Sequence, residues 1–305
     1  MVCEQACVMQ RQFHASTASV TLNALAIGYL RMMHLRTLAV CSWSLRPEDV
    51  NQLIERVHAC GMNSVQLDVT HLADTPHAWS DLPKQFQQAG IHIVSGMLRP
   101  RGEDYSSIAR IRETGGVRSD ATWLENQHLA SRVANTAAEM GIPLVTFHAG
   151  CIPHDRSDPL RQCMLDRLVC MVDLFGGAGV RVAFETGQES AECLLAVLHE
   201  LNRTKVGVNF DPANMLLYGA GDPLHAFRML KPWVRQVHAK DALPSGKEDV
   251  WGKETPIGKG AVPWKEFMEE VKTLPPHVAV VIEREGGERR VQEVAAARAF
   301  LQPMM

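Results

Sequence analysis

The sequence lacks any Cys-x-x-Cys pair. Its eight cysteines (Cys3, Cys7, Cys41, Cys60, Cys151, Cys163, Cys170 and Cys193) are scattered, which excludes the spacings of zinc ribbons and thioredoxin-type redox sites. Cys60, Cys163, Cys170 and Cys193 fall in helical patterns, where a free thiol behaves as a small buried hydrophobe. A reduced, cytoplasmic protein is expected. No apolar run approaches the ~20 residues of a membrane span. The net charge of −3 gives no electrostatic reason to bind nucleic acid or an anionic membrane, so neither is expected as a partner. A homo-oligomer is compatible with the chain and not indicated by it. Residues 1–34 lack a strand pattern and carry one acid, Glu4, with Ser, Thr and Ala concentrated between Ala15 and Ala26. Targeting peptides share that scarcity of acids, but the basic start, apolar core and cleavage site of a secretory signal are missing. Residues 1–34 are therefore read as an extension, and residues 35–305 as one domain.

What is present is a regular alternation of strand-like and helix-like segments, the signature of βαβ units and a parallel sheet. Strands are expected at 38–42, 63–68, 91–95, 143–148, 180–185, 206–211, 234–238 and 278–283. Helices are expected from Pro47 to Gly61, up to Gly90, at 120–140 with Asp120 as N-cap, and at 158–175, 190–201, 223–230, 263–271 and 291–301. Eight of each make an α/β protein of the (β/α)8 TIM-barrel type, for which 305 residues are ample against a typical length of roughly 250. The segment 242–262, rich in Gly, Pro and Lys, is expected to leave the rim as a lid.

Four consecutive apolar runs in the second half end in an ionisable residue: Glu185, Asp211, His238 and Glu283. One such residue alone would be read as satisfying loop backbone groups. Together, at the C-terminal ends of parallel strands, they stand on the rim where barrel enzymes hold their chemistry. Three carboxylates converging without a cation would repel one another, and three oxygens with one nitrogen suit a divalent metal. His148, ending another strand, is a candidate substrate contact. Asn214, three residues after Asp211, can meet a sugar hydroxyl or serve as a helix cap. Lys240 shares a strand face with His238 and can hold an oxyanion or pair with Asp241 or another rim acid. Gln188 and Glu189 follow Glu185 in the next loop, lining the site or starting a helix. Trp43, Gln66, His71 and Ser95 are further rim positions, with strand-end packing as the alternative. Gly258-Lys-Gly260 is too short for a phosphate cradle.

These residues sit in Phe147-His-Ala-Gly150, Glu185-Thr-Gly-Gln-Glu189, Asn209-Phe-Asp-Pro-Ala-Asn214, Val237-His-Ala-Lys-Asp241, Trp251-Gly-Lys-Glu254, Gly258-Lys-Gly-Ala-Val262 and Ile282-Glu-Arg-Glu-Gly-Gly287. The set resembles the xylose isomerase-like barrel superfamily, and within it the bacterial proteins grouped as sugar phosphate isomerases/epimerases, from about Leu38 to Leu301. The resemblance implies a divalent metal on Glu185, Asp211, His238 and Glu283, usually manganese, with magnesium, cobalt and zinc as alternatives. It also implies acid/base roles for Glu185 and Glu283, a small carbohydrate substrate, and an isomerase or epimerase working through an enediolate. Asn214 stands where ketose epimerases have a histidine, and Lys240 departs from their pattern, which counts against a free ketohexose. The competing readings are a ketoinositol-type dehydratase, an endonuclease IV-like phosphodiesterase, which would need more histidines on the early strands, and a noncatalytic sugar-binding barrel.

Overall fold

Runs of β-branched and aromatic residues form the strands β1 (Leu38–Cys41), β2 (Ser64–Asp68), β3 (His92–Met97), β4 (Leu144–Phe147), β5 (Arg181–Glu185), β6 (Val206–Phe210) and β7 (Val234–Ala239). A hairpin of β8 (Asp241–Leu243) and β9 (Lys253–Thr255) precedes the last strand, β10 (Ala279–Ile282). The computed structural model describes residues 36–305; the extension expected over residues 1–34, with Cys3 and Cys7, lies outside the described residues. β1 to β7 pair in parallel in chain order, and β10 closes the ring between β7 and β1. This is the expected (β/α)8 barrel.

Side-chain alternation along the strands separates two environments. Val182, Phe184, Val208, Phe210, Val280 and Ile282 join helix residues such as Leu168, Leu194 and Phe227 in one large apolar cluster. The other set points into the ring. There Ala39, Cys41, Ala279 and Val281 form a small cluster of their own, and the rest of the interior is polar. Gln66 donates to Thr146 Oγ1 at 2.9 Å, Gln236 donates to Gln66 Oε1 at 3.0 Å and to Asn209 Oδ1 at 3.2 Å, and the Ser95 hydroxyl donates to Gln236 Oε1 at 2.5 Å. Every member of this layer is buried and partnered, as a polar interior requires.

The helices are α1 (Val50–Ala59), α2 (Val69–Asp74), α3 (Leu82–Ala89), α4 (Ile108–Thr114), α5 (Asp120–Glu139), α6 (Pro159–Gly177), α7 (Ala191–Leu201), α8 (Pro212–Leu217), α9 (Pro223–Leu230), α10 (Trp264–Lys272) and α11 (Arg290–Leu301). The single helix expected before Gly90 is broken into α2, a 3-10 turn at Pro76–Trp79 and α3, because Pro76 and Pro83 each start a new segment. α4 and α8, at seven and six residues, are too short to show a periodic stripe. Asp120 is not an N-cap: Ser119 holds that position, and the Asp120 carboxylate pairs with Arg167 of α6.

Two features shape the rim. Gly116 and Gly150 have φ of +59° and +97°, and a Cβ on either would lie 2.3 Å from backbone atoms of the other's loop. That close approach clamps the β3–α5 connection to the end of β4, and the Gly116 N–H then donates to Glu103 Oε1 at 2.9 Å. The second feature anchors the segment expected as a lid. Asp241, 1% exposed, accepts from the backbone N–H groups of Ala242, Gly258, Gly260 and Val262 and from Trp264 Nε1, all at 2.8–3.2 Å. The Gly258-Lys-Gly260 turn thus clasps a carboxylate of its own chain, and residues 242–262 form a pinned flap. Asp241→Ala strands five donors, and a loss of about 3 kcal/mol or more is expected in chemical denaturation. A loss below about 0.5 kcal/mol, the range of ordinary surface substitutions, would show that the clasp does not hold the flap.

Candidate metal centre

Glu185 is the last residue of β5, Asp211 follows β6, His238 lies one residue before the end of β7, and Glu283 follows β10. These four strands are consecutive around the ring, so their side chains share one half of its C-terminal mouth. One ligand atom from each lies within 4.8 Å of all the others. His238 Nδ1 stands 3.5 Å from Glu185 Oε1 and 3.4 Å from Glu283 Oε2. None of the four is more than 3% exposed.

The hydrogen bonds around the cluster hold each group from behind and leave its inner face bare. Gln66 donates its amide to Gly96 O and Thr146 Oγ1, which turns its Oε1 toward His238 Nε2 at 2.7 Å. The imidazole therefore carries a proton on Nε2, and Nδ1 is the nitrogen that can present a lone pair to a metal, an assignment made from the network. Asp211 Oδ1 caps α8 by accepting from Ala213 N at 2.8 Å and Asn214 N at 3.1 Å. Its Oδ2 has no hydrogen-bond partner, and neither has His238 Nδ1. Glu185 Oε2 accepts from Asn209 and its Oε1 from Asn214, both at 3.1 Å. Glu283 Oε1 accepts from Trp43 Nε1 at 2.8 Å, and its Oε2 from Lys240 Nζ at 3.0 Å. Two buried, unpartnered ligand atoms between two fixed carboxylates fit a divalent cation. Cys41 also lies near His238 and Glu283, but on the Nε2 side that Gln66 occupies, and burial keeps its thiol protonated.

Protons stand in for the cation in the metal-free chain. Burial pushes the Asp211 carboxyl up to about 8, against the pull of Lys240. Burial opposes a charged His238, but Glu185, Cys41 and Glu283 together raise it well above the usual imidazole range. Burial also opposes ionisation of Glu283, yet Lys240 and His238 hold it well below the carboxylate range. Because the folded pKa of Asp211 is raised from 3.8 to about 8, its contribution to stability is complete at low pH and is lost as pH rises through that window. A divalent metal must displace that proton and the one on His238 Nδ1. Manganese affinity measured by calorimetry should rise at least about tenfold per pH unit up to about pH 8; an affinity flat from pH 6 to 8 would contradict this.

Above the cluster opens a cavity of about 470 Å³. His148, Asn214 and Lys240 line it with Glu185 and Glu283, and so do Glu103, Tyr105, Tyr218, Trp251 and Glu285. Tyr218 and Trp251 meet edge to face with centroids 4.7 Å apart, so the pinned flap supplies one wall.

A sequence model of the xylose isomerase-like TIM barrel family matches residues 54–304. The chain belongs to this family. Among solved structures it is similar to a xylose isomerase domain protein from Planctomyces limnophilus, 25% identical, covering 89% of this chain and 96% of that one with a TM-score of 0.78. It is also similar to the probable 3-DHS dehydratase AsbF involved in petrobactin synthesis from Bacillus anthracis (15% identity, 87% and 98% coverage, TM-score 0.68). A third is the 3-keto-D-glucoside 4-epimerase YcjR from E. coli (13% identity, 88% and 99% coverage, TM-score 0.66). The last two likenesses are of fold. No curated protein matches the chain.

Within this xylose isomerase-like barrel the other sequence candidates divide. His148 lies with Nε2 3.6 Å from Glu185 Oε1, and its Nδ1 is buried without a partner. Asn214 holds Glu185 from behind. Lys240 does not pair with Asp241, which the flap occupies; it is held between Glu283 and Glu285, with Glu285 Oε2 at 2.5 Å and Asp211 Oδ2 at 4.0 Å. Gln188 and Glu189 stand outside the 470 Å³ cavity and line a neighbouring one behind Tyr218. Gln66 and Ser95 lie beneath the cluster as its support rather than around the cavity. Trp43 is on the rim, while His71 lines a separate cavity. Glu285 was legible by the alternation that sets Lys240 beside His238: it is two residues past Glu283. Glu103, Tyr105 and Tyr218 come from connections with no comparable signal.

Proposed function

We propose that this protein is a divalent-metal-dependent isomerase or epimerase of a sugar or polyol derivative, in which Glu185 and Glu283 move a carbon-bound proton. The observation that carries the reading is the pair of unpartnered atoms, His238 Nδ1 and Asp211 Oδ2, in one tight cluster with two carboxylates fixed from behind. Glu185, Asp211, His238 and Glu283 would hold the metal, with manganese as the ion proposed and magnesium, cobalt and zinc to be compared. Bound there, the ion would polarise adjacent carbonyl and hydroxyl oxygens and so acidify the hydrogen on the carbon between them.

The chain's own residues do the rest. Glu185 and Glu283 come from strands separated by β6 and β7 and approach the mouth from different sides. One carboxylate oxygen takes the proton, and the other carboxyl returns one from the opposite face, as epimerisation requires. Asn209 and Asn214 keep Glu185 oriented; Trp43 and Lys240 do the same for Glu283. With its ammonium engaged by two carboxylates, Lys240 acts through Glu283 more than as a free oxyanion holder. His148, with an unpartnered Nδ1, is assigned to a substrate hydroxyl. The aromatic walls Trp43, Trp251 and Tyr218 exclude water from the reacting carbon. We read the enzyme as cytoplasmic, which the six free cysteines of the described residues support, with residues 35–305 as its catalytic domain.

The test is a screen of keto- and aldo-sugars in heavy water with each of the four metals. Deuterium uptake at one carbon with the molecular mass otherwise conserved is the expected result. Loss of a water mass would replace isomerisation by the dehydratase reaction. No exchange with any sugar–metal pair would sink the reading.

A further inference from the structure

The rim carries a second cavity, of about 230 Å³, over the ends of β1 and β2. Trp43 and Arg99 line both this cavity and the larger one above the metal cluster. Beyond that shared wall it is bounded by Leu53, Leu72, Trp79 and His71. His71 and Trp79 meet edge to face, centroids 5.4 Å apart at 76°. It opens to solvent beside the exposed His71 and Arg46. It also falls short of the roughly 300 Å³ at which whole ligand pockets begin. It adjoins the larger cavity, with Trp43 and Arg99 lining both, and is termed the small lobe.

Its chemistry limits what it accepts. Arg99 is ion-paired with Asp68, whose other oxygen accepts from His71 N at 3.1 Å, and Arg46 at the mouth faces Glu288. In the larger lobe Lys240 is held by Glu283 and Glu285. Each lysine and arginine lining the two lobes therefore already faces a carboxylate, and the larger lobe adds the acid Glu103. A phosphate or carboxylate on the ligand would find no uncommitted guanidinium or ammonium in either lobe. What the small lobe offers is aromatic and aliphatic wall, suited to the apolar face of a ring.

We propose that the substrate is an uncharged glycoside: its reacting sugar lies over the metal cluster, and the ring beyond the glycosidic oxygen lies in the small lobe between Trp43 and Trp79. This deepens the proposed carbohydrate chemistry and rests on it for the identity of the first ring. Trp43 gives the two lobes a physical link, since its ring forms the shared wall while its Nε1 donates to Glu283 at 2.8 Å.

The test uses the full chain saturated with manganese and paired probes: methyl and phenyl β-D-glycosides of glucose, galactose and xylose, with cellobiose and glucose 6-phosphate, titrated by calorimetry. The phenyl member of at least one pair should bind roughly ten times more tightly than its methyl partner, the usual order for burying an aromatic ring. Glucose 6-phosphate should bind no better than glucose. Leu72→Trp, which fills the lobe, should bring the phenyl preference down to about parity, and the exposed His71→Ala should reduce it even if the filled variant does not fold. If cellobiose gains affinity and the phenyl glycosides do not, the second ring is a sugar and the lobe assignment stands. Equal binding within every pair with no gain for cellobiose, a preference that survives both substitutions, or no binding by any glycoside would overturn the proposal. A retained preference without deuterium exchange would instead remove the catalytic reading and leave the binding site.

Discussion

Replacing Glu185 or Glu283 by glutamine should lower deuterium exchange into substrate by roughly 10³-fold or more, the scale of a general acid or base, while the thermal melt of the barrel stays near that of the wild type. The geometry separates the two roles of each side chain. A glutamine at 283 can still accept from Trp43 through its amide oxygen, but it cannot accept a proton, and its amide nitrogen faces Lys240 as a second donor. A glutamine at 185 meets no ammonium: its neighbours are the amides of Asn209 and Asn214 and the imidazoles of His148 and His238. Glu185→Gln should therefore be the cleaner chemical deletion, with metal affinity reduced less than turnover. Full activity in either variant would remove the two-glutamate mechanism.

Asp211→Asn and His238→Ala should act on the ion first. Each removes one of the two unpartnered ligand atoms, and a loss of at least about 100-fold in metal affinity is expected, beyond the 10- to 100-fold typical of a supporting residue. Metal content after purification reads this directly; unchanged stoichiometry would break the ligand assignment. The effect on the metal-free fold runs the other way for Asp211. Its carboxyl, raised from 3.8 to about 8, costs stability once the unfolded chain ionises, increasingly from about pH 4 to about pH 8. Asp211→Asn should leave metal-free stability near that of the wild type at about pH 4 and improve on it progressively up to about pH 8, while abolishing the gain in melting temperature on adding metal. The amide can still accept from Ala213 and Asn214, so the cap on α8 survives.

The barrel was legible because a parallel strand buried on both faces reads as an unbroken apolar run, and eight such runs alternated with helical segments. The four ligands were legible for the same reason: Glu185, Asp211, His238 and Glu283 interrupt apolar runs at one end, where burial makes a charge costly unless a partner is waiting. Boundaries moved by a residue or two, and Asp211 and Glu283 stand just past their strands. Short elements were not legible. α2 and α8 span under two turns, and the β8–β9 hairpin is built from Asp241-Ala-Leu243 and Lys253-Glu-Thr255, which carry no strand alternation. Nor could the sequence distinguish residues over the metal cluster from residues under it. Gln66 and Ser95 occupy strand positions that look like cavity lining, and only the bonds across the ring show them facing Gln236 and His238. The pairing of Lys240 was open between several acids until Asp241 proved to be taken by the flap.

The strands that contribute no ligand are not passive. The tautomer of His238 is set by Gln66 of β2, whose amide is itself clamped by Gly96 of β3 and Thr146 of β4. Transplanting the four ligands alone onto an unrelated barrel would leave the imidazole free to swing or to shift its proton to the wrong nitrogen. A working graft would have to carry the amide lattice from the opposite half of the ring as well.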